Sequence, residues 1–352
     1  MNTLKISENL FLRYEQTQQV KGYCGLLAAW ALAETAVEAH DDKLLDKCRS
    51  YLALYPDHFD HPRYNFENYR VGGNGKAWLV AKGLFDEERE NIRKYAEITM
   101  NSPRDSEGII CHPQDTHKTW IDVAFCITPF MLYAGLAFKE QKYIDFAVEQ
   151  TFLMYDRFLD RTCGLLHQCK GFLPNPEQLS SDHWGRGNGW CYIALATLVE
   201  HLPKDSIHRP RAEKLFKDLS EALLACQTPR GVWRQQLDCE YAWDECSSTG
   251  LIAYGFGLGM RLGLLERKVY QEAFESALNA IVNRFIEKDF STKMCCYGCL
   301  CPGYGETKGT LKAYLTEVYP TYNDPHSFGT LMFAMLEAYR NGITDLVGES
   351  WE

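Results

Sequence analysis

The sequence predicts an all-α protein built as an (α/α)6 double-ring barrel, with six inner and six outer helices, and three observations predict it. Helical segments of two kinds alternate along the chain, six of each. One kind is rich in Ala, Gly and aromatic residues and nearly free of charge at its centre; the other is amphipathic, with Lys and Glu on one face. A helix that is apolar all round must be enclosed by others, so the alternation implies one ring inside another. The connections are the second observation: they vary from a few residues to the long segments 57–73 and 288–325, whereas an open helical solenoid would keep a tighter repeat and similar loops. Third, the fifth apolar segment carries Gly250, Gly255, Gly257, Gly259 and Gly263. Each would cost a lone helix about 1 kcal/mol against Ala, which is reasonable only where a narrow interior needs the space.

In chain order, the amphipathic segment 8–20 precedes the apolar 25–39, and 42–54 precedes 74–83 across the first long loop. The third pair is 87–100 with 120–138, and the fourth is 141–160 with 188–201. The fifth, 211–227 with 248–265, and the sixth, 270–286 with 327–339, complete the set. Long irregular loops on a regular scaffold are where a site is usually built.

No Pro/Ser-rich linker, charge block or shift of composition divides the 352 residues, so a single domain, 1–352, is expected. The net charge of -10, with Lys and Arg scattered, argues against a nucleic-acid partner. An acidic substrate would need local Arg or His, not a basic protein. The first residues lack an apolar signal core, and no run is long enough for a bilayer, so the expectation is a cytoplasmic protein without a membrane partner, as monomer or homodimer. The fourteen cysteines are dispersed through helical patterns, as reduced buried thiols usually are.

The stretch Trp184-Gly185-Arg186-Gly187-Asn188-Gly189-Trp190 sets a cation and an amide between two indoles, ahead of a helix. Indole faces cover the apolar side of a pyranose, and an Arg fork binds a carboxylate, so the segment points to one wall of a pocket for an acidic sugar. A glycine-rich helix start with ordinary core tryptophans is the alternative. Asp122, two residues after Trp120, is a single carboxylate in an otherwise apolar helix. Desolvation disfavours its charge, which is how a carboxylic acid stays protonated near neutral pH and serves as a general acid; a helix-start acid or an internal ion pair is the plainer reading.

His167 falls in a turn after the 141–160 segment, where a neutral imidazole can bond a sugar hydroxyl, or simply face solvent. His183 and Asp182 flank the tryptophan motif, although Asp182 also suits a helix cap. Glu67, Asn68 and Arg70 lie in an amide-rich loop that can supply hydroxyl contacts or a second acid, or be only a connection held by Asn turns. In the 243–250 stretch a Ser or Thr can start the fifth inner helix. Cys295, Cys296, Cys299 and Cys301 are the one metal signal. Their crowding into a single loop, without separated knuckles, makes tetrahedral zinc difficult, so no metal is expected. Phosphate loops, dinucleotide fingerprints and the serine elbow are absent, so no cofactor is expected either.

Five pieces in order resemble the unsaturated uronyl hydrolases of glycoside hydrolase families 88 and 105, most of all the unsaturated rhamnogalacturonyl hydrolase branch. They are Trp120-Ile121-Asp122, Gly164 to His167, Trp184 to Trp190, Glu245 to Gly250 and Asn323 to Gly329. The family's fold is the (α/α)6 barrel. The resemblance implies that Asp122 is the acid/base, that His167 and Arg186 contact substrate, and that Trp184 and Trp190 line the pocket. It also implies short oligosaccharides carrying a 4,5-unsaturated uronic acid at the non-reducing end, cleaved by hydration of the double bond. Members usually carry a second aspartate near the second inner helix; here that region offers Glu67 and Asn68 and no Asp. An exo-acting glucuronidase on saturated substrates, a sugar epimerase using His167 and His183, and a non-catalytic helical scaffold binding sugar or peptide are the competing readings.

Overall fold

The charge-poor segments form helices enclosed by their neighbours, because they have no face that water would stabilise. In the computed structural model, which describes residues 1–56, 70–112 and 114–349, they are α2 (Gly22–Glu38), α4 (Asn74–Ala81), α6 (Asp122–Phe138), α8 (Gly185–His201), α10 (Cys246–Arg261) and α13 (Pro325–Arg340). Each packs on the next, and α13 returns to α2, so the ring closes. The amphipathic helices lie outside it. α1 (Thr3–Thr17) packs on α13 and α2, α3 (Asp42–Leu52) on α2, α5 (Arg89–Met100) on α6, α7 (Gln141–Phe158) on α6 and α8, α9 (Arg209–Ala225) on α8 and α11 (Arg267–Ala280) on α10. This is the (α/α)6 barrel. Among the described residues no helix is long and apolar enough to cross a membrane.

Two features depart from the sequence expectation. A short helix, α12 (Leu311–Glu317), forms inside the long sixth connection, where Thr310 caps it through its hydroxyl. Gly263 does not pack inside the fifth inner helix: α10 ends at Arg261, and Gly263 (φ +71°) makes the left-handed turn after it with open space around. Gly250 does meet the expected need, since a Cβ there would lie 2.7 Å from the Thr330 carbonyl oxygen of α13.

The inner helices run in one direction, so their last turns meet at one end. There Arg340 bonds Glu34 (3.0 Å), Glu38 (2.7 Å) and Glu337 (3.1 Å), and Arg261 bonds Glu200 (2.8 Å) and Glu337 (2.7 Å). Glu337 is fully buried, and a carboxylate placed there is tolerable only because two guanidinium groups share it. At the opposite end short ribbons tie the connections together. β1 (Thr119–Trp120) pairs antiparallel with β2 (Cys169–Lys170), and β3 (Cys295–Cys296) with β4 (Pro320–Thr321).

Candidate active site

At the end where the inner helices begin, Asp122, Arg186 and the indoles of Trp120, Trp184 and Trp190 line a narrow cavity, closed on its other side by Tyr23, His326 and residues 298–300. Asp122 is the first residue of α6, delivered there by the β1–β2 ribbon. Its Oδ2 is out of reach of bulk solvent and has no hydrogen-bond partner. Burial raises its pKa from 3.8 to about 7, with Asp182 adding to the rise and Arg186 opposing it. The acid and its ionised form are therefore both populated near neutrality.

Arg186 comes from the first turn of α8. Gly185 lets that turn approach the backbone at Arg234: a Cβ on it would lie 2.6 Å from the Arg234 carbonyl oxygen. The guanidinium is 1% exposed; Nη1 donates to the Cys296 carbonyl (2.7 Å) and the Ser247 hydroxyl (3.3 Å), and the group sits 4.8 Å from the Trp184 ring centre. Nε has no partner, and among the described residues no carboxylate forms an ion pair with this arginine. A buried cation with no direct ion pair, Glu245 and Asp324 acting on it only through space, opens on a cavity and favours an anionic ligand. Trp190 stacks on Phe125 at 4.9 Å, which fixes its face.

Two site residues escaped the sequence reading. Asp324 caps α13 and accepts from His326 Nδ1 at 2.6 Å, so His326 Nε2 accepts from the Tyr23 hydroxyl. Burial, with Arg186 nearby, lowers the His326 pKa and keeps the imidazole neutral. Burial would raise the Asp324 carboxyl, but the hydrogen bonds it accepts from His326 and the nearby positive charge of Arg186 hold it well below the usual range. His326 stands inside the 323–329 piece that carried the resemblance, which was the available signal; Tyr23, at the start of α2, offered none.

The structure places the remaining candidates elsewhere. His167 and His183 lie with their rings 4.9 Å apart in the connection between α7 and α8, outside the cavity lining. Asn188 spends its amide on the backbone, donating to the Leu166 (2.9 Å) and Trp184 (3.0 Å) carbonyls and accepting from the Leu166 N–H (2.8 Å). Arg70 is a bolt between elements, donating to the Thr99 hydroxyl (2.7 Å) and lying over Tyr95. Glu67 and Asn68 lie outside the described residues. Asp182 accepts from the Trp184 N–H at 3.1 Å, in keeping with a cap. The fifth inner helix is started by Glu245, not by a Ser or Thr: its carboxylate accepts from the Ser247 and Ser248 N–H groups and from the Cys296 N–H, holding β3 beside Arg186. Cys295 and Cys296 thus form the wall behind the arginine, and Cys299 is part of the cavity lining.

The sequence matches the family described as Glycosyl Hydrolase Family 88 over residues 8–342. An unsaturated 3S-rhamnoglycuronyl hydrolase of Formosa agariphila is 28% identical over 176 residues, 47% of this chain and 46% of that protein. An unsaturated rhamnogalacturonyl hydrolase of Bacillus subtilis is 26% identical over 204 residues, 54% of this chain and 57% of that protein. The chain thus spans about half the length of these curated relatives. A family 105 glycoside hydrolase from C. acetobutylicum ATCC 824 has the same fold, with a TM-score of 0.83 at 23% identity, covering 96% of this chain and 99% of the other. With a match that runs through nearly every helix of the barrel, the chain belongs to glycosyl hydrolase family 88.

Proposed function

We propose that the protein, as one catalytic domain, hydrolyses short oligosaccharides bearing a 4,5-unsaturated uronic acid at the non-reducing end, and that Asp122 is its acid/base. One observation carries the reading: a carboxylic acid with an unpartnered oxygen and a pKa near 7 shares a tryptophan-lined cavity with a buried arginine that lacks a carboxylate. Arg186 takes the uronate carboxylate, and the indoles cover the ring. The names of the two curated relatives, both unsaturated-sugar hydrolases, support the same substrate class. We place the protein in the cytoplasm, which would suit oligosaccharides already short enough to be imported.

In the mechanism, the Asp122 proton goes to C4 and the C4=C5 π electrons form the new C–H bond. Water then adds at C5 and returns its proton to Asp122, giving a hemiketal. The hemiketal opens to a C5 ketone, its ring oxygen becoming the hydroxyl of a hemiacetal at C1. That hemiacetal collapses to an aldehyde and expels the aglycone sugar as an alcohol. One water is consumed, and one carboxylate serves for both transfers. Tyr23, held by His326, presents its hydroxyl to the same cavity for a sugar hydroxyl.

The test is reaction in heavy water, on a panel of lyase-digested polysaccharides followed by loss of the conjugated uronate's ultraviolet absorbance. One deuteron should appear at C4 of the released uronate, trapped before its keto form exchanges. An unlabelled C4 would reject hydration and favour direct cleavage of a saturated uronoside, which needs a second carboxylate. The pH profile should follow from the same acid. Because Asp122 must start protonated, kcat/KM should be level below about pH 7 and fall tenfold per unit above it; a profile that rises through pH 7 would assign Asp122 another role.

A further inference from the structure

We infer that Asp160, Cys163 and His183 form a binding site for one zinc-type divalent cation, set apart from the cavity. Asp160 and Cys163 lie in the turn after α7, and His183 in the approach to α8. Asp160 Oδ1 accepts from the Thr162 N–H (2.8 Å) and hydroxyl (2.6 Å), which leaves Oδ2 free to face His183 Nε2 at 3.5 Å. Cys163 Sγ is 3.8 Å from the same nitrogen. The three donor atoms lie within 4.8 Å of one another, and among the described residues no other three His, Cys, Asp or Glu side chains converge in this way.

The two separations from His183 Nε2 are close to those of a ligand set. A tetrahedral ion with bonds of roughly 2.0–2.3 Å holds its ligands about 3.3–3.7 Å apart. The far nitrogen of the imidazole, Nδ1, is 2.7 Å from Asp238 Oδ2. A carboxylate in that place fixes the tautomer whose Nε2 lone pair points at a metal. Without a cation, Nε2 has to keep a proton of its own to meet the Asp160 carboxylate. Imidazole, thiolate and one carboxylate suit a borderline-soft ion such as Zn²⁺. His167 Nε2, 3.9 Å from Asp160 Oδ2, borders the same space and offers a fourth ligand in place of water. Cys163 is exposed, which gives the ion a way in.

The expectation of a chain without metal rested on the crowded Cys295 to Cys301 loop, and this set is drawn from residues twenty apart in sequence, a spacing that announces nothing. A bound ion would pin the turn after α7 to the segment leading into Trp184 and Arg186. It would therefore position the cavity wall without touching substrate.

Chelator-stripped protein titrated with Zn²⁺ alone, against a chromophoric indicator, should take up one ion per chain. Co²⁺ in its place should show thiolate-to-cobalt charge-transfer absorption. Cys163→Ser should abolish that absorption, and Asp238→Asn, which keeps all three ligands, should weaken Zn²⁺ binding by about 10–100-fold. Zinc should also raise the melting temperature of the wild type but not of a His183→Ala variant. Absence of uptake would leave a plain imidazolium between two carboxylates and overturn the proposal. So would uptake that survives Cys163→Ser and His183→Ala but is lost in Cys296→Ser/Cys299→Ser. None of these readings involves substrate, so they stand or fall separately from the hydrolase activity.

Discussion

Asp122→Asn should lower kcat by about 10²–10⁴-fold while leaving substrate affinity and the helical fold in place, because the amide keeps the shape of the carboxyl but has no proton to give C4. Single-turnover kinetics on an unsaturated disaccharide would check this, and near-normal turnover would remove Asp122 as the acid. The same substitution should stabilise the protein at alkaline pH. An Asp raised from 3.8 to about 7 in the native state holds a proton there that the unfolded chain has released. Stability is therefore lost progressively as pH rises from about 4 to 7 and stays lost above it, by up to about 4 kcal/mol. The Asn variant lacks that loss, so its melting temperature should exceed the wild type's at pH 8 and approach it at pH 4.

Arg186→Met should act on binding instead. Removing the guanidinium takes away the counter-ion for the uronate, and a lost buried charge-assisted hydrogen bond costs ~2–5 kcal/mol, or roughly 30- to 5000-fold in affinity. A merely structural arginine would also lower activity, so the pH profile supplies the discriminating measurement. Arg186 is the charge that pulls the Asp122 pKa down against burial. Without it the alkaline limb of kcat/KM should move upward from about pH 7. An unmoved limb would mean that the two side chains do not share one cavity.

The positions of the inner helices were legible because an unbroken apolar composition leaves a helix only one environment. The segment expected at 188–201 is the core of Gly185–His201, and that expected at 327–339 the core of Pro325–Arg340. Their ends were less legible, since ends are set by single contacts: Glu245 rather than a serine starts α10 because its two oxygens reach both α10 and β3. Asp122 stood out in sequence as one charge among apolar neighbours, and Arg186 as one among indoles. Tyr23 and His326 did not, because each becomes part of the site only when α2 and α13, the first and last members of the inner ring, are brought side by side. The role of the Cys295 to Cys301 loop, backing Arg186 and closing the cavity, was not legible because it depends on the register of β3 with β4.

The common direction of the inner helices makes the barrel an electrical object with two unlike poles. The first turns of α2, α6, α8 and α13 supply Tyr23, Asp122, Arg186 and His326 to one pole, where exposed N–H groups add partial positive charge. At the other pole the carbonyl ends meet Arg261 and Arg340, locked to Glu34, Glu200 and Glu337. In a protein whose overall charge is -10, the pole that holds the cavity thus carries helix N-termini and the buried Arg186. The arginine clasp that holds the ring shut and the cavity therefore lie on opposite faces, so that substitutions in the loops around the cavity leave the clasp untouched.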